Sequence, residues 1–135
     1  MWKYFFWFMD YTISAQVDTG FENTIENVTE ELEKEGFGVL TDIDVQKTLK
    51  KKLDKDFRKY RILGACNPEI AHQAIEEETA MGALLPCNVI VYEDSGKVFV
   101  EVIDPEELAS VTGNPELDGM ASEMKERMKE MVQRL

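Results

Sequence analysis

The chain has 135 residues, 44% of them hydrophobic and 31% charged, the make-up of one soluble globular domain with a single core. With 15 basic against 27 acidic side chains the net charge is −12, which sets most of the surface against nucleic-acid phosphates. Two cysteines fall short of a disulfide framework and no secretion signal is evident, so the expectation is a cytoplasmic protein that binds neither nucleic acid nor membrane.

The N-terminal stretch MWKYFFWFMD is strongly aromatic. Its apolar run from Tyr4 to Met9 is closed by Asp10; a membrane span needs about 20 residues, and no small-residue cleavage site follows. Residues 1–10 are therefore read as an arm that packs against another subunit, or as an extension of the first strand, ahead of one domain over 11–135. YTISAQV is β-branched enough to be that first strand. Thr19-Gly-Phe-Glu22 has the spacing of a capping box, and Phe21, Ile25, Val28 and Leu32 follow at helical intervals, one apolar stripe for a core. Gly36 is the natural stop, because a left-handed C-terminal position costs glycine little. FGVLTDI reads as the second strand. Asp44 is a good N-cap for the next helix, whose Val45, Leu49 and Leu53 lie four apart and whose Lys47, Lys50 and Lys51 point mainly to solvent.

YRILGA predicts a third strand and NPEIAHQAIEEE a third helix, with Ile70, Ala71, Ala74 and Ile75 as its apolar arc. LLPCNVIVYE and KVFVEVI are two strands joined through the turn residues Asp94-Ser95-Gly96. Pro86 has no amide hydrogen and belongs at a strand start or on an edge. Asp104-Pro105 opens a short helix, aspartate capping and proline at the first helical position, and Asn114-Pro115 repeats the device for the last helix. There Leu117, Ala121, Met124, Met128, Met131 and Leu135 form a stripe. A helix lying on its own sheet explains it first, dimer packing second and a copper-binding methionine site third. The order β-α-β-α-β-α-β-β-α-α breaks its alternation at the C-terminal hairpin, so at least part of the sheet is antiparallel and the class is α+β.

Within Cys66-Asn67-Pro68, the Asn-Pro pair is accounted for as a helix start. Cys66 is then left at the positive end of that helix, where a thiolate is favoured. Cys87 lies in an apolar run and reads as a core residue. If the third and fourth strands are neighbours, the two cysteines meet as a dithiol or a disulfide. The candidate ligand or thiol site is Cys66, Asn67, Cys87 and Asn88. Structural zinc wants four ligands and the chain offers two Cys and one His, so no metal site is expected. His72 falls off the apolar arc near Glu69 and Glu76, the place of an exposed histidine. No Gly-rich phosphate loop, GxSxG or HExxH occurs, so no catalytic residues and no cofactor are expected. KTLKKKLDKDFRKYR, residues 47–61, sets eight Lys or Arg against Asp54 and Asp56. It is either a solvated face or an anion site using Lys47, Lys50, Lys51, Arg58 and Arg61.

EGFGVLTDIDVQKTLKKKLDKDFRKYRILGACNPEIAHQA, LLPCNVIVYED, IDP and GNPEL together closely resemble the bacterial and archaeal domain of unknown function 302, from about Tyr11 to Leu135. The aromatic segment before Tyr11 does not match that pattern. The resemblance implies an α+β fold similar to the TATA-binding-protein type, with helices on one face of a curved, mainly antiparallel sheet, and a tendency to homodimerise. It supplies no reaction and no functional residues, and the fold likeness is not DNA binding. Three readings stand open. One is a homodimeric module holding a small ligand or protein partner near the ACNP and PCN segments. The second is a thiol-based redox, persulfide or metal-handling protein using Cys66 with Cys87. The third is an anion-binding module on the 47–61 face.

Overall fold

The computed structural model describes residues 11–135; the expectation for the aromatic arm falls outside them. Strands β1 (Thr12–Val17), β2 (Gly38–Asp44), β3 (Tyr60–Cys66), β4 (Cys87–Asp94) and β5 (Lys97–Ile103) form one sheet in the order β1-β5-β4-β3-β2. Every neighbouring pair is antiparallel. The helices are α1 (Phe21–Lys34), α2 (Val45–Leu53), α3 (Pro68–Glu77), α4 (Pro105–Thr112) and α5 (Asp118–Gln133), with 3-10 segments at Thr79–Leu84 and Pro115–Leu117. The fold is α+β as expected, and antiparallel pairing extends across the whole sheet.

Strand alternation sends successive side chains to opposite faces. Leu63, Val89, Val91, Val100 and Val102 are at most 1% exposed. The register sets Leu63 opposite Val89, Val89 opposite Val102 and Val91 opposite Val100. Onto this face α1 lays Phe21, Ile25, Val28 and Leu32, and α5 lays Met124, Met128, Met131 and Val132. The methionine stripe thus belongs to the chain's own core and is not a free dimer surface. On the other face Tyr60, Tyr92 and Phe99 stack across three strands, with ring centroids 5.6 and 5.4 Å apart. Glu101 accepts a hydrogen bond there from the Thr12 hydroxyl at 2.6 Å and another from the Tyr92 hydroxyl.

Local chemistry explains most boundaries. Gly36 ends α1 with φ +85°, while Phe37 N–H reaches back to the Leu32 carbonyl at 2.9 Å. Asp44, Asn67, Asp104 and Asn114 each accept a backbone N–H from two or three residues on, at 2.9 to 3.2 Å. Asn114 caps the 3-10 turn that leads into α5. Ser95 and Gly96 both have positive φ, 54° and 78°, the two-residue turn that suits a twisted hairpin.

The structure departs from the sequence reading at the start of α1, and it leaves the apolar stripes of α2 and α3 only partly covered. Thr19 does not cap α1, because the helix begins one residue later, with Gly20 at the N-cap and no side-chain cap bond. The Thr19 hydroxyl instead meets the Thr24 hydroxyl at 2.6 Å. The α2 stripe is not buried: this helix follows an edge strand, and Leu53 remains 61% exposed. On α3 only Ile70 and Ala74 are buried, and Ile75 is 41% exposed.

Candidate functional site

The ACNP and PCN segments meet because β3 and β4 are antiparallel neighbours. Ala65 pairs with Cys87 and Gly64 with Asn88, which puts the end of β3 beside the start of β4. Pro86, immediately before β4 and joined to Leu85 by a cis peptide, packs over Gly64. A Cβ at Gly64 would lie 2.2 Å from Thr41 Oγ1 and 2.7 Å from Pro86 Cγ, so only glycine admits this approach. Asn67 fixes the turn into α3 by accepting the Ile70 N–H at 3.2 Å. Cys66 is half-buried and Cys87 is 3% exposed, both as free thiols.

Both cysteines are among the residues that line one cleft. It lies between the main core and a smaller apolar cluster of Ala74, Met81, Ala109, Leu117 and Ala121. The cavity volume is about 50 Å³, well below the roughly 300–1,000 Å³ typical of small-molecule sites, and the cleft is open to solvent, so a ligand would be held only in part. The space exists because α3, α4 and α5 turn alanines toward their junction: Ala71, Ala74, Ala109 and Ala121. Longer side chains would close it. The floor is Ala65, Cys66, Pro86 and Cys87, and Met81, Met120 and Met124 flank it. Asn67 and the two cysteines are the polar contribution, and among the described residues no carboxylate, histidine or basic side chain lines the cleft.

Burial, aided by the neighbouring Cys66, pushes the Cys87 thiol up to about 11. Cys87 is therefore protonated at neutral pH and a poor nucleophile. An apolar floor with a protonated thiol can hold a ligand, but it does not by itself activate a nucleophile or move a proton.

The other sequence-derived candidates are dispersed. Asn88 is exposed and alternates away from Cys87, outside the cleft. His72 is exposed beside Glu76 at 3.3 Å, as its place off the apolar arc suggested. On the basic segment, Arg61 donates from Nε and Nη2 to Asp42 at 2.8 and 2.6 Å, and that pairing holds the Asp42 carboxyl below its ordinary range. Lys50 pairs with Asp54 at 3.0 Å and Asp56 at 3.2 Å. Arg58 lies over the Phe57 ring at 5.5 Å. Lys47 enters through its backbone N–H, which binds the Asp44 cap. Lys47 and Lys51 lie on exposed positions of α2. Two of the five proposed anion ligands are thus engaged by the chain's own carboxylates. Among the described residues no group of three or more His, Cys, Asp or Glu is arranged to hold a metal.

Sequence reasoning found Cys66, Asn67 and Cys87, and missed the walls. Met81 sits on a 3-10 segment with no periodic signal, and Ala109 and Leu117 come from two short elements far along the chain. The available clue was the small-residue spacing of Ala71 and Ala74 on α3.

Residues 13–135 match a family described as a domain of unknown function, DUF302. Among solved structures the chain is similar to an uncharacterized conserved protein DUF302 from Bacillus stearothermophilus, at 32% identity and a TM-score of 0.86, covering 92% of this chain and 97% of that one. No curated protein matches it. Among the described residues no helix is long and apolar enough to cross a membrane. The chain belongs to the DUF302 family.

Proposed function

We propose that this DUF302 protein is a binding module that holds a small apolar molecule in the cleft at the Cys66 end of β3. One observation carries the reading: an open cleft whose described lining is apolar apart from Asn67 and two cysteines. Moving an apolar molecule from water into such a space gains about 25 cal/mol per Å² of apolar surface buried. Asn67 Oδ1 is committed to the α3 cap and its Nδ2 lies beside Gly36.

The test is titration with N-phenyl-1-naphthylamine, a neutral dye that fluoresces when it leaves water. Saturable enhancement at one dye per chain, lost in Ala109→Leu, is the expected outcome. No enhancement, or the same enhancement in the filled variant, ends the reading.

Homodimerisation is the second part of the proposal. Of the seven large apolar side chains exposed among the described residues, Leu40, Ile43, Leu53 and Phe57 fall in one stretch around β2 and α2. β2 is an edge strand, and apolar side chains along an edge favour pairing with a second copy. Sedimentation showing a micromolar dimer that Leu40→Lys dissociates supports it. A monomer at that concentration removes it.

A further inference from the structure

We propose that the sheet face opposite α1 and α5 is a docking surface for residues 1–10 of the same chain. This face carries the stacked rings of Tyr60, Tyr92 and Phe99, and strand register sets Ile62 and Ile90 beside them. Side chains stand roughly perpendicular to a sheet, so strand neighbours shield the flanks of a ring and leave its outer end to solvent. Phe99 is nevertheless 6% exposed and Glu101 9%. The described helices do not account for this. α1, α3, α4 and α5 pack with the two core clusters. α2 follows β2, three strands away from β5, and has no buried residue.

The path of the chain leads to the same face. The Asp104 N–H donates to the Tyr11 carbonyl at 2.9 Å, one step beyond the last β1–β5 pair, Thr12 with Ile103. β5 then stops and Pro105 opens α4, so a chain running back from Tyr11 has no strand to extend along. The helix side is held there by α4, whose Leu108 packs on the main core. The open face is what remains. Ten residues reach up to about 33 Å when extended and about 15 Å as a helix. Phe99 is four residues along β5 from Ile103, about 14 Å, so either form reaches it.

Chemistry matches the segment to the face. Residues 1–10 hold six aromatic side chains, and rings pack on rings in offset or edge-to-face contact. Glu101 puts a carboxylate on the face, where it accepts from the Thr12 and Tyr92 hydroxyls. A carboxylate so little exposed is stabilised by a nearby opposite charge, and Lys3 is the one basic side chain in the segment. Docking covers a row of rings that would otherwise form an exposed apolar patch.

The chain's two tryptophans, Trp2 and Trp7, both lie in residues 1–10, so tryptophan emission of the full chain reports on this segment alone. The emission is expected to be blue-shifted and shielded from acrylamide, equally at high-micromolar and submicromolar protein. Tyr60→Ser and Ile90→Thr, at half-buried positions on the face, should shift it to the red and raise quenching while circular dichroism stays native. Leu53→Ser, at an exposed position on α2, should change neither. In the wild-type protein, nuclear Overhauser contacts should join an indole ring to Phe99 or Ile90, a readout that needs no variant. Solvent-like emission, absence of those contacts, or wild-type shielding in both face variants overturns the proposal. Shielding lost on dilution gives the face to a second copy, and shielding gained only with phosphatidylcholine vesicles gives the segment to a membrane. Either result also overturns it.

Discussion

The two ends of β3 show opposite chemistry. At its start, Arg61 donates along one edge of its guanidinium to both Asp42 oxygens and is approached at Nη1 by Glu22 at 3.7 Å, while Tyr60 stacks on Tyr92. At its finish, Ala65 and Cys66 border an apolar cleft lined, among the described residues, by no charged side chain. One strand of seven residues joins a site whose charges are already satisfied to one whose space is not. A run of basic residues in the sequence counts charges without their partners, and cross-strand carboxylates can engage them. A cleft depends on missing volume, which leaves no mark of its own in the sequence.

The sharpest contrast in stability lies between the core and the cleft. Met128→Ala, at a fully buried position, should cost about 2–5 kcal/mol in urea denaturation. Ala109→Leu, which enlarges a buried side chain bordering the cleft, should cost less, about 1–3 kcal/mol. Equal losses would mean the cleft is as tightly packed as the core.

Gly64 separates the two ends and comes next. Gly64→Ala drives a methyl toward Thr41 and Pro86 and should cost about 1–3 kcal/mol. The accompanying displacement of Pro86 should also lower dye binding.

Alkaline titration isolates Cys87. Its folded value, about 11, is raised by burial above the ordinary 9.0. The stability it confers is fully present below the lower value and declines as pH rises through the higher one. The difference between wild type and Cys87→Ser should therefore shrink between pH 9 and 11. A pH-independent difference would show that the thiol is not held protonated by its surroundings.

The smallest effect is expected at the charged end. Arg61 and Asp42 side chains are 19% and 40% exposed, so Arg61→Ala should cost at most about 1 kcal/mol at neutral pH. Because the Asp42 value is depressed by Arg61, that contribution is present above the ordinary carboxylate range and fades as pH falls below about 4. A difference that persists in strong acid would show that Arg61 acts through packing.

Much of the fold was legible where a single residue type meets a single backbone requirement. Asn67-Pro68, Asp104-Pro105 and the Ser95-Gly96 turn all behave as their chemistry demands. The α1 stripe is buried as its spacing indicates. The α2 stripe has the same spacing, yet Leu53 is exposed, because periodicity says which face is apolar and not whether anything covers it. Thr19 failed by one residue, since a capping box is indistinguishable from a neighbouring frame until the first helical residue is known. Cys66, Asn67 and Cys87 could be singled out because each is chemically distinct. Ala74, Ala109 and Ala121 could not, because they act by what they lack and converge from three helices.

The most direct test follows the methionine methyl resonances while N-phenyl-1-naphthylamine is added. Met81, Met120 and Met124 border the cleft, Met124 from the main core it shares with Met128 and Met131, and the latter two, which do not line the cleft, serve as internal controls. The binding reading requires the first three signals to shift saturably while the two core signals stay in place. Shifts confined to the core methionines, or none at all, would contradict it.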